Sequence, residues 1–152
     1  MAEPASAPAA EGKQFNVNVC AEIQRQIDNV KREIADAKSR IEELVNERRS
    51  REQERDQLRS WLRSALIGLV SGGVPDDENL DDLLRELDRL PQDFQAEAQR
   101  AADLARSLIG VVREIQRLRD ALSGPIATLT VFEEALKELE ARREAANCSP
   151  RI

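Results

Sequence analysis

Two groups of charged residues have the types and spacing that could do chemistry. The first is a run of carboxylates, and carboxylate oxygens are the ligands that calcium and magnesium prefer. The run lacks the ordered ligand spacing and the central glycine of a calcium loop, and acidic residues are favourable in the first turn of a helix. We therefore interpret it as a solvated helix start and predict no metal site. Its members are Asp76, Asp77, Glu78, Asp81 and Asp82.

The second group is a run of arginines. Arg51, Arg55, Arg59 and Arg63 recur every four residues, so a helix would present them as one stripe, and Arg48 precedes them. Such a stripe can contact phosphates or an acidic partner, although no aromatic residues are interleaved that could stack on bases. The pattern keeps open one hypothesis, that of a regulatory nucleic-acid-associated protein which presents the stripe.

The composition disfavours catalysis. The chain of 152 residues contains no histidine, the commonest general base and metal ligand, and it carries no Gly-rich phosphate loop or nucleophile motif. We expect no enzyme activity, no catalytic residues and no cofactor. Its two cysteines, Cys20 and Cys148, are too few for a disulfide framework, and nothing in the sequence places them close together. We interpret them as buried or free thiols.

The charge and hydropathy patterns bear on partners and location. A net charge of −6 argues against a general binder of nucleic acid or anionic membranes, so nucleic acid is the less favoured partner. The N-terminus lacks the basic start and apolar core of a signal peptide, and the longest apolar run, near Ala65 to Val70, is far too short to span a bilayer. We expect a soluble intracellular protein without a membrane span.

A long helix must position these residues. Between Val17 and Val70 the apolar residues fall four and three apart, which is a heptad seam. The same frame passes through three of the arginines before it becomes apolar again. The members of this seam are Ile23, Ile27, Val30, Ile34, Ala37, Ile41, Leu44, Leu58, Leu62, Ala65 and Leu69.

Glycine and proline divide the rest of the chain. The sequence SGGVPDD at residues 71–77 ends the long helix, and Pro91 either kinks the next amphipathic segment or makes it stop and restart. Gly124-Pro125 predicts a further break before a last helix that ends near Ala146. We predict an all-α protein, a long antiparallel helical hairpin or coiled coil. Residues 1–14 form a disordered tail, residues 15–146 a single elongated domain and residues 147–152 a C-terminal tail.

The hairpin predicts a register. A turn at residues 71–77 places Ile23 opposite Ile126 and Ile34 opposite Ile115, and it matches apolar residues along the whole seam. The arginines that interrupt the seam then face Phe94 and a stretch of small residues, across which their long stems can lie. The same register predicts three ion pairs, Arg63 with Glu86, Arg55 with Asp93 and Arg51 with Glu97.

Several apolar residues lie outside the seam, and a two-helix hairpin has no third layer to cover them. Trp61, the single tryptophan, is either a core anchor or an anchor in an interface with another chain. We expect a non-enzymatic structural or assembly subunit that works through coiled-coil packing, as a homo-oligomer such as a four-helix bundle or as part of a larger assembly. The predicted partner interface is Val45, Trp61, Ile67, Leu84, Ile109 and Val112.

Overall fold

A computed structural model describes the backbone of residues 3–148 and the side chains of residues 17–148. This part of the chain contains three α-helices and no strand, and its two long helices pack against each other, which confirms the predicted all-α helical hairpin. Residues 1–2 and 149–152 and the side chains of residues 3–16 lie outside the described part of the chain, so the predicted disordered tail at residues 1–14 and the predicted C-terminal tail stay predictions. The helices are α1 (Glu3–Leu66), α2 (Leu80–Asp88) and α3 (Gln95–Ala145), and two 3-10 turns, Asp77–Asn79 and Gln92–Phe94, precede α2 and α3.

Glycine ends α1 a few residues before the predicted position. Gly68 has a φ of +82° and Gly73 a φ of +68°, values that L residues with a Cβ rarely adopt. The helix therefore stops at Leu66, whose carbonyl accepts hydrogen bonds from the backbone N–H groups of Leu69, at 2.9 Å, and Val70, at 3.3 Å.

Pro91 separates α2 from α3. Its backbone is extended, with a φ of −57° and a ψ of 156°, so the helical segment stops and restarts instead of kinking. The Gln95 side chain donates a hydrogen bond of 2.9 Å to the carbonyl of Leu90 and so bridges the interruption. As a result, the nine residues of α2 form a separate helix.

The chain divides into two compact units, of which the second comprises residues 42–122. Here α2 joins the two long helices in one apolar core. The buried alanines of α3 have short side chains, and Ala98 and Ala102 line the same groove as Leu84 and Leu87 of α2. These small residues therefore make room for α2, not for arginine stems as predicted. The core consists of Leu58, Leu62, Leu66, Leu80, Leu83, Leu87, Ala98, Ala101, Ala102, Ala105, Leu108, Val111 and Ile115.

The first unit comprises residues up to 41 and from 123 onward. Its apolar cluster is small: Ile23 and Ile27 of α1 are buried together with Leu139 of α3. A hydrogen bond of 3.4 Å from Arg143 to the side chain of Gln24 also joins the two helices. Ile34 and Ala37 of α1 are also buried, so the described part of this unit has five buried apolar residues.

A disulfide bond between Cys20 and Cys148 ties α1 to the residues that follow α3, and their Cα atoms are 5.7 Å apart. The prediction of unpaired thiols was therefore wrong. Asn147, with a φ of +55°, turns the chain at the end of α3, and the N–H of Cys148 donates to the carbonyl of Arg143 at 3.1 Å. This left-handed C-cap directs the chain end back toward α1.

The predicted register was wrong. It placed Ile23 opposite Ile126, but the neighbouring Gln24 of α1 contacts Arg143, a shift of about five helical turns. In the second unit Glu52 lies 3.7 Å from Arg119, which agrees with this shift to within about one helical turn. The cause is α2, because the segment that was assigned to the second long helix folds back as a separate helix.

The predicted break at Gly124-Pro125 was also wrong, because α3 continues through Pro125. A proline inside a helix removes one backbone hydrogen bond and crowds the carbonyl four residues earlier. This cost does not end the helix here, because the residues on both sides of Pro125 remain helical.

Candidate interaction surface

Trp61 lies on the outward side of α1 within the second unit. Its neighbours Leu58 and Leu62 are buried, and each residue of an α-helix is rotated by about 100° from the previous one. The indole is therefore turned away from the core, and 53% of the surface of Trp61 is exposed. Of the two predicted roles for this residue, a core anchor or a surface anchor, its exposure favours the second.

A groove between α1 and α3, which we call the Trp61 groove, runs beside this indole and has a volume of about 870 Å³. Five of its nine lining residues are small or apolar, and the other four are charged or carry an amide. Its walls include Trp61, Ser64 and Ala65 of α1 and Ala96, Arg100 and Leu104 of α3.

Charges of both signs line the same groove. Glu97 and Asp103 flank Arg100 on α3, three residues away on either side. The Asp103 carboxylate accepts hydrogen bonds from Gln99 at 3.0 Å and from Arg106 at 3.2 Å, which fix its position. The groove therefore combines an apolar anchor with one cation and two anions.

The structure does not bring the six predicted interface residues together on one surface. Leu84 lines the groove between α2 and α3, and Val112 lines a charged cavity instead of the Trp61 groove. Ile109, like these two, is partly buried against the core of its own chain. Val45 is half-buried as well, whereas Ile67, in the turn after α1, is 79% exposed.

Sequence analysis missed one residue of the Trp61 groove and one exposed aromatic residue. Leu104 lines the Trp61 groove, but its four-residue spacing from Leu108 is typical of a core position. Phe94, which precedes α3, was placed opposite an arginine, but its side chain is 43% exposed.

The arginine stripe is largely paired with acids of its own chain, though not with the predicted ones. The three predicted partners belonged to the wrong register. Arg63 is exposed, whereas Arg48, Arg51 and Arg55 are partly buried. The observed ion pairs are Arg48 with Glu52 at 3.5 Å, Arg51 with Glu54 at 2.7 Å and Arg55 with Asp56 at 3.4 Å.

Arg59 makes the ion pair that spans the greatest sequence distance in the stripe. Its guanidinium donates to Asp77 at 2.8 Å and to the carbonyl of Pro75 at 3.1 Å, and so holds the turn before α2 against α1. A cavity of about 710 Å³ lies here, lined also by Asp76 and Arg113. Because its acids and arginines balance each other, this cavity does not favour a phosphate ligand.

The acidic run at the start of α2 has the predicted structural role. Asp81 and Asp82 occupy the first turn of α2, and Asp82 accepts a hydrogen bond of 2.8 Å from Arg85. Within the part of the chain that the structure describes, no three His, Cys, Asp or Glu side chains are grouped so as to hold a metal ion.

Two surface carboxylates have shifted pKa values. Hydrogen bonding from Arg117, with Nε at 3.0 Å, holds the pKa of the Glu114 carboxyl below its ordinary value. Hydrogen bonds from Arg25 and then Gln26 lower the pKa of Glu22 in the same way. The largest cause of each shift lies within the same helix, and Arg51 of α1 also contributes to the lowered pKa of Glu114.

No family model matches the chain, and comparison with curated proteins and with solved structures finds no significant similarity. Among the described residues, no helix is both long enough and apolar enough to cross a membrane.

Proposed function

We propose that this chain is a non-enzymatic assembly subunit, and that its Trp61 groove binds a helix of a second copy of the same chain. The observation that carries this proposal is the half-exposed Trp61 indole beside a groove of small and apolar side chains. Tryptophan is the residue most enriched at the energetic centres of protein interfaces, because it buries a large apolar surface while its N–H finds a polar partner.

The charges of the groove favour a second copy over a foreign partner. In a two-fold symmetric interface the same surface serves both chains, so a surface must complement itself. Arg100 of one copy can pair with Glu97 of the other, and the symmetry repeats this pair with the roles exchanged. Asp103 of the other copy, about one turn from Arg100 of that copy along α3, is a second carboxylate with which Arg100 of the first copy can pair. Helix packing at this groove would thus extend the hairpin into a bundle.

The alternative function, nucleic-acid association, draws less support. Arg51 and Arg59 point their guanidinium groups at acids of their own chain, so phosphate contact would require these ion pairs to break. Steep salt-dependent binding to DNA or RNA would support the alternative, and absence of binding at low salt would exclude it.

Sedimentation or light scattering of two variants tests the proposal. Trp61→Glu places a charge in the groove of each copy, and loss of two interface anchors worth about 2 kcal/mol each weakens a symmetric dimer about a thousandfold. Val131→Glu is the matched control, because Val131 is 62% exposed and lies in the first unit. We expect dissociation of the Trp61→Glu variant alone. A wild-type chain that stays monomeric at high concentration would contradict the proposal.

Charge exchange separates a second copy from a foreign partner. Arg100→Glu and Glu97→Arg should each weaken self-association, because each creates two like-charge contacts in a symmetric dimer. A mixture of the two variants restores opposite charges at both contacts, so a heterodimer should form. If neither variant affects self-association, then the dimer does not use this groove.

A further inference from the structure

We propose that the Cys20–Cys148 disulfide is a redox latch, which holds α1 and α3 together in the first unit and, once reduced, lets them separate while the second unit stays folded. The reductant is a small thiol or dithiol. Its thiolate attacks one Sγ, a second thiol resolves the mixed disulfide, and two electrons and two protons convert the bond into two cysteine thiols as the reductant leaves as its own disulfide.

The packing between the helices of the first unit is sparse. Over residues 123–148, α3 and the residues after it contribute one buried side chain, Leu139. The described part of the first unit has five buried apolar residues, whereas the second unit has 16. Because burial of apolar surface is the dominant stabilising term, the helix pair of the first unit is far more dependent on its cross-link.

The α3 segment of the first unit, from residue 123 onward, also begins with residues of low helix propensity. Pro125 has no N–H to donate, and Gly124 before it carries the conformational entropy cost of glycine. Two large apolar side chains here face solvent, with Ile126 48% and Val131 62% exposed. The contacts of this segment with the cluster around Ile27 include Leu139, the partly buried Leu136 and Ala146, and the hydrogen bond from Arg143 to Gln24, besides the latch.

The position of the latch makes it accessible and effective. Both cysteines are partly exposed, so a small thiol can reach them. Cys148 is held in place by the left-handed C-cap at Asn147, in which the N–H of Asn147 donates to the carbonyl of Glu144 at 3.0 Å. Because the second unit stays folded, the loop that the bond closes consists of the two arms of the first unit, residues 20–41 and 123–148, and the bond restricts these arms when they separate.

Amide hydrogen exchange with and without a dithiol reductant tests the latch. We expect reduction to accelerate exchange at least ~10-fold in residues 19–30 and 132–146, with unchanged exchange in residues 98–115. Trp61 lies in the second unit, so its fluorescence should also stay unchanged. The double variant Cys20→Ser, Cys148→Ser should exchange like the reduced chain and should not respond to the reductant, which controls for other effects of the reagent.

Three results would overturn the latch. The first is exchange in the first unit that does not change on reduction, because its packing would then suffice. The second is equal acceleration in both units or a double variant whose second unit is unfolded, because the disulfide would then stabilise the whole chain. The third is two free thiols, found by mass spectrometry after incubation with oxidised glutathione, because the bond would then not form.

Discussion

Leu87→Ala tests the observation that α2 packs on both long helices. Leu87 is 2% exposed and belongs to the core of the second unit, so its removal forfeits nearly the full transfer free energy of the lost carbons. A cavity also remains, because the helices around it relax only in part. Together these effects should lower the free energy of unfolding of the second unit by about 2–5 kcal/mol.

Two variants of the same helix are the controls. Leu84 is only partly buried, so Leu84→Ala forfeits a smaller share of the transfer free energy and should cost about 1 kcal/mol. Glu86 is exposed, and Glu86→Ala should change stability by less than ~0.5 kcal/mol. The three costs should therefore follow burial along one helix, which removes helix propensity as an explanation.

Urea denaturation followed by Trp61 fluorescence is the appropriate assay, because Trp61 lies in the same unit as α2. Circular dichroism in parallel reports the helices of both units, and a second transition there would show that the units unfold separately. If Leu87→Ala costs no more than Glu86→Ala, then α2 does not pack in the core and the register that its fold-back explains loses its physical basis.

Three further predictions concern single contacts. Pro125→Ala should slow amide exchange around residue 125, since it restores a hydrogen bond at a gain of about 1–2 kcal/mol after the loss of proline's entropic advantage. A double-mutant cycle of Arg59→Ala and Asp77→Ala should give a coupling of about 0.5–1 kcal/mol that falls with salt, because both side chains are partly solvated. Arg117→Ala should raise the pKa of Glu114 toward its ordinary value in an NMR titration; in the wild type, the favourable interaction is present at neutral pH and is lost as pH falls through the lowered pKa.

Periodicity predicted correctly which face of each long helix is buried. Ile27, Leu44 and Leu62 of the α1 seam are at most 2% exposed, as are Leu108 and Leu118 of α3. This success has a simple cause: a heptad pattern specifies a face of a helix through residue types alone. The heptad pattern carries no information about the axial position of one helix relative to the other. A seam that repeats every three and four residues matches its partner again after a shift of several turns.

The register of α1 against α3 depends on residues that do not belong to the heptad pattern. Pro91 decided that α2 is a separate helix, but the sequence allowed either a kink or a stop at that position. Cys20 and Cys148 held the better signal, since pairing the two cysteines would have fixed the alignment of α1 with α3 directly. Treating them as unrelated thiols removed the one long-range constraint available.

The Trp61 groove was predicted in part. An apolar residue outside the seam is visible in the sequence, so Trp61 could be identified as a candidate anchor. Which residues of α3 stand beside it follows from the register, and so Arg100 and Leu104 could not be named. The ion pairs failed for the same reason, because Arg59 meets Asp77 only when the turn before α2 lies against α1.

The disulfide determines whether a proteolytic cut in this chain separates the two fragments. Because Cys20 and Cys148 are linked, the residues between them form a covalent ring, and one backbone cut by a protease at Gly72 or Gly73 leaves both fragments attached. The nicked protein keeps its mass apart from one added water, and it migrates as two pieces only after reduction. A cell could thus cleave the chain first and release its halves later, when a thiol opens the ring.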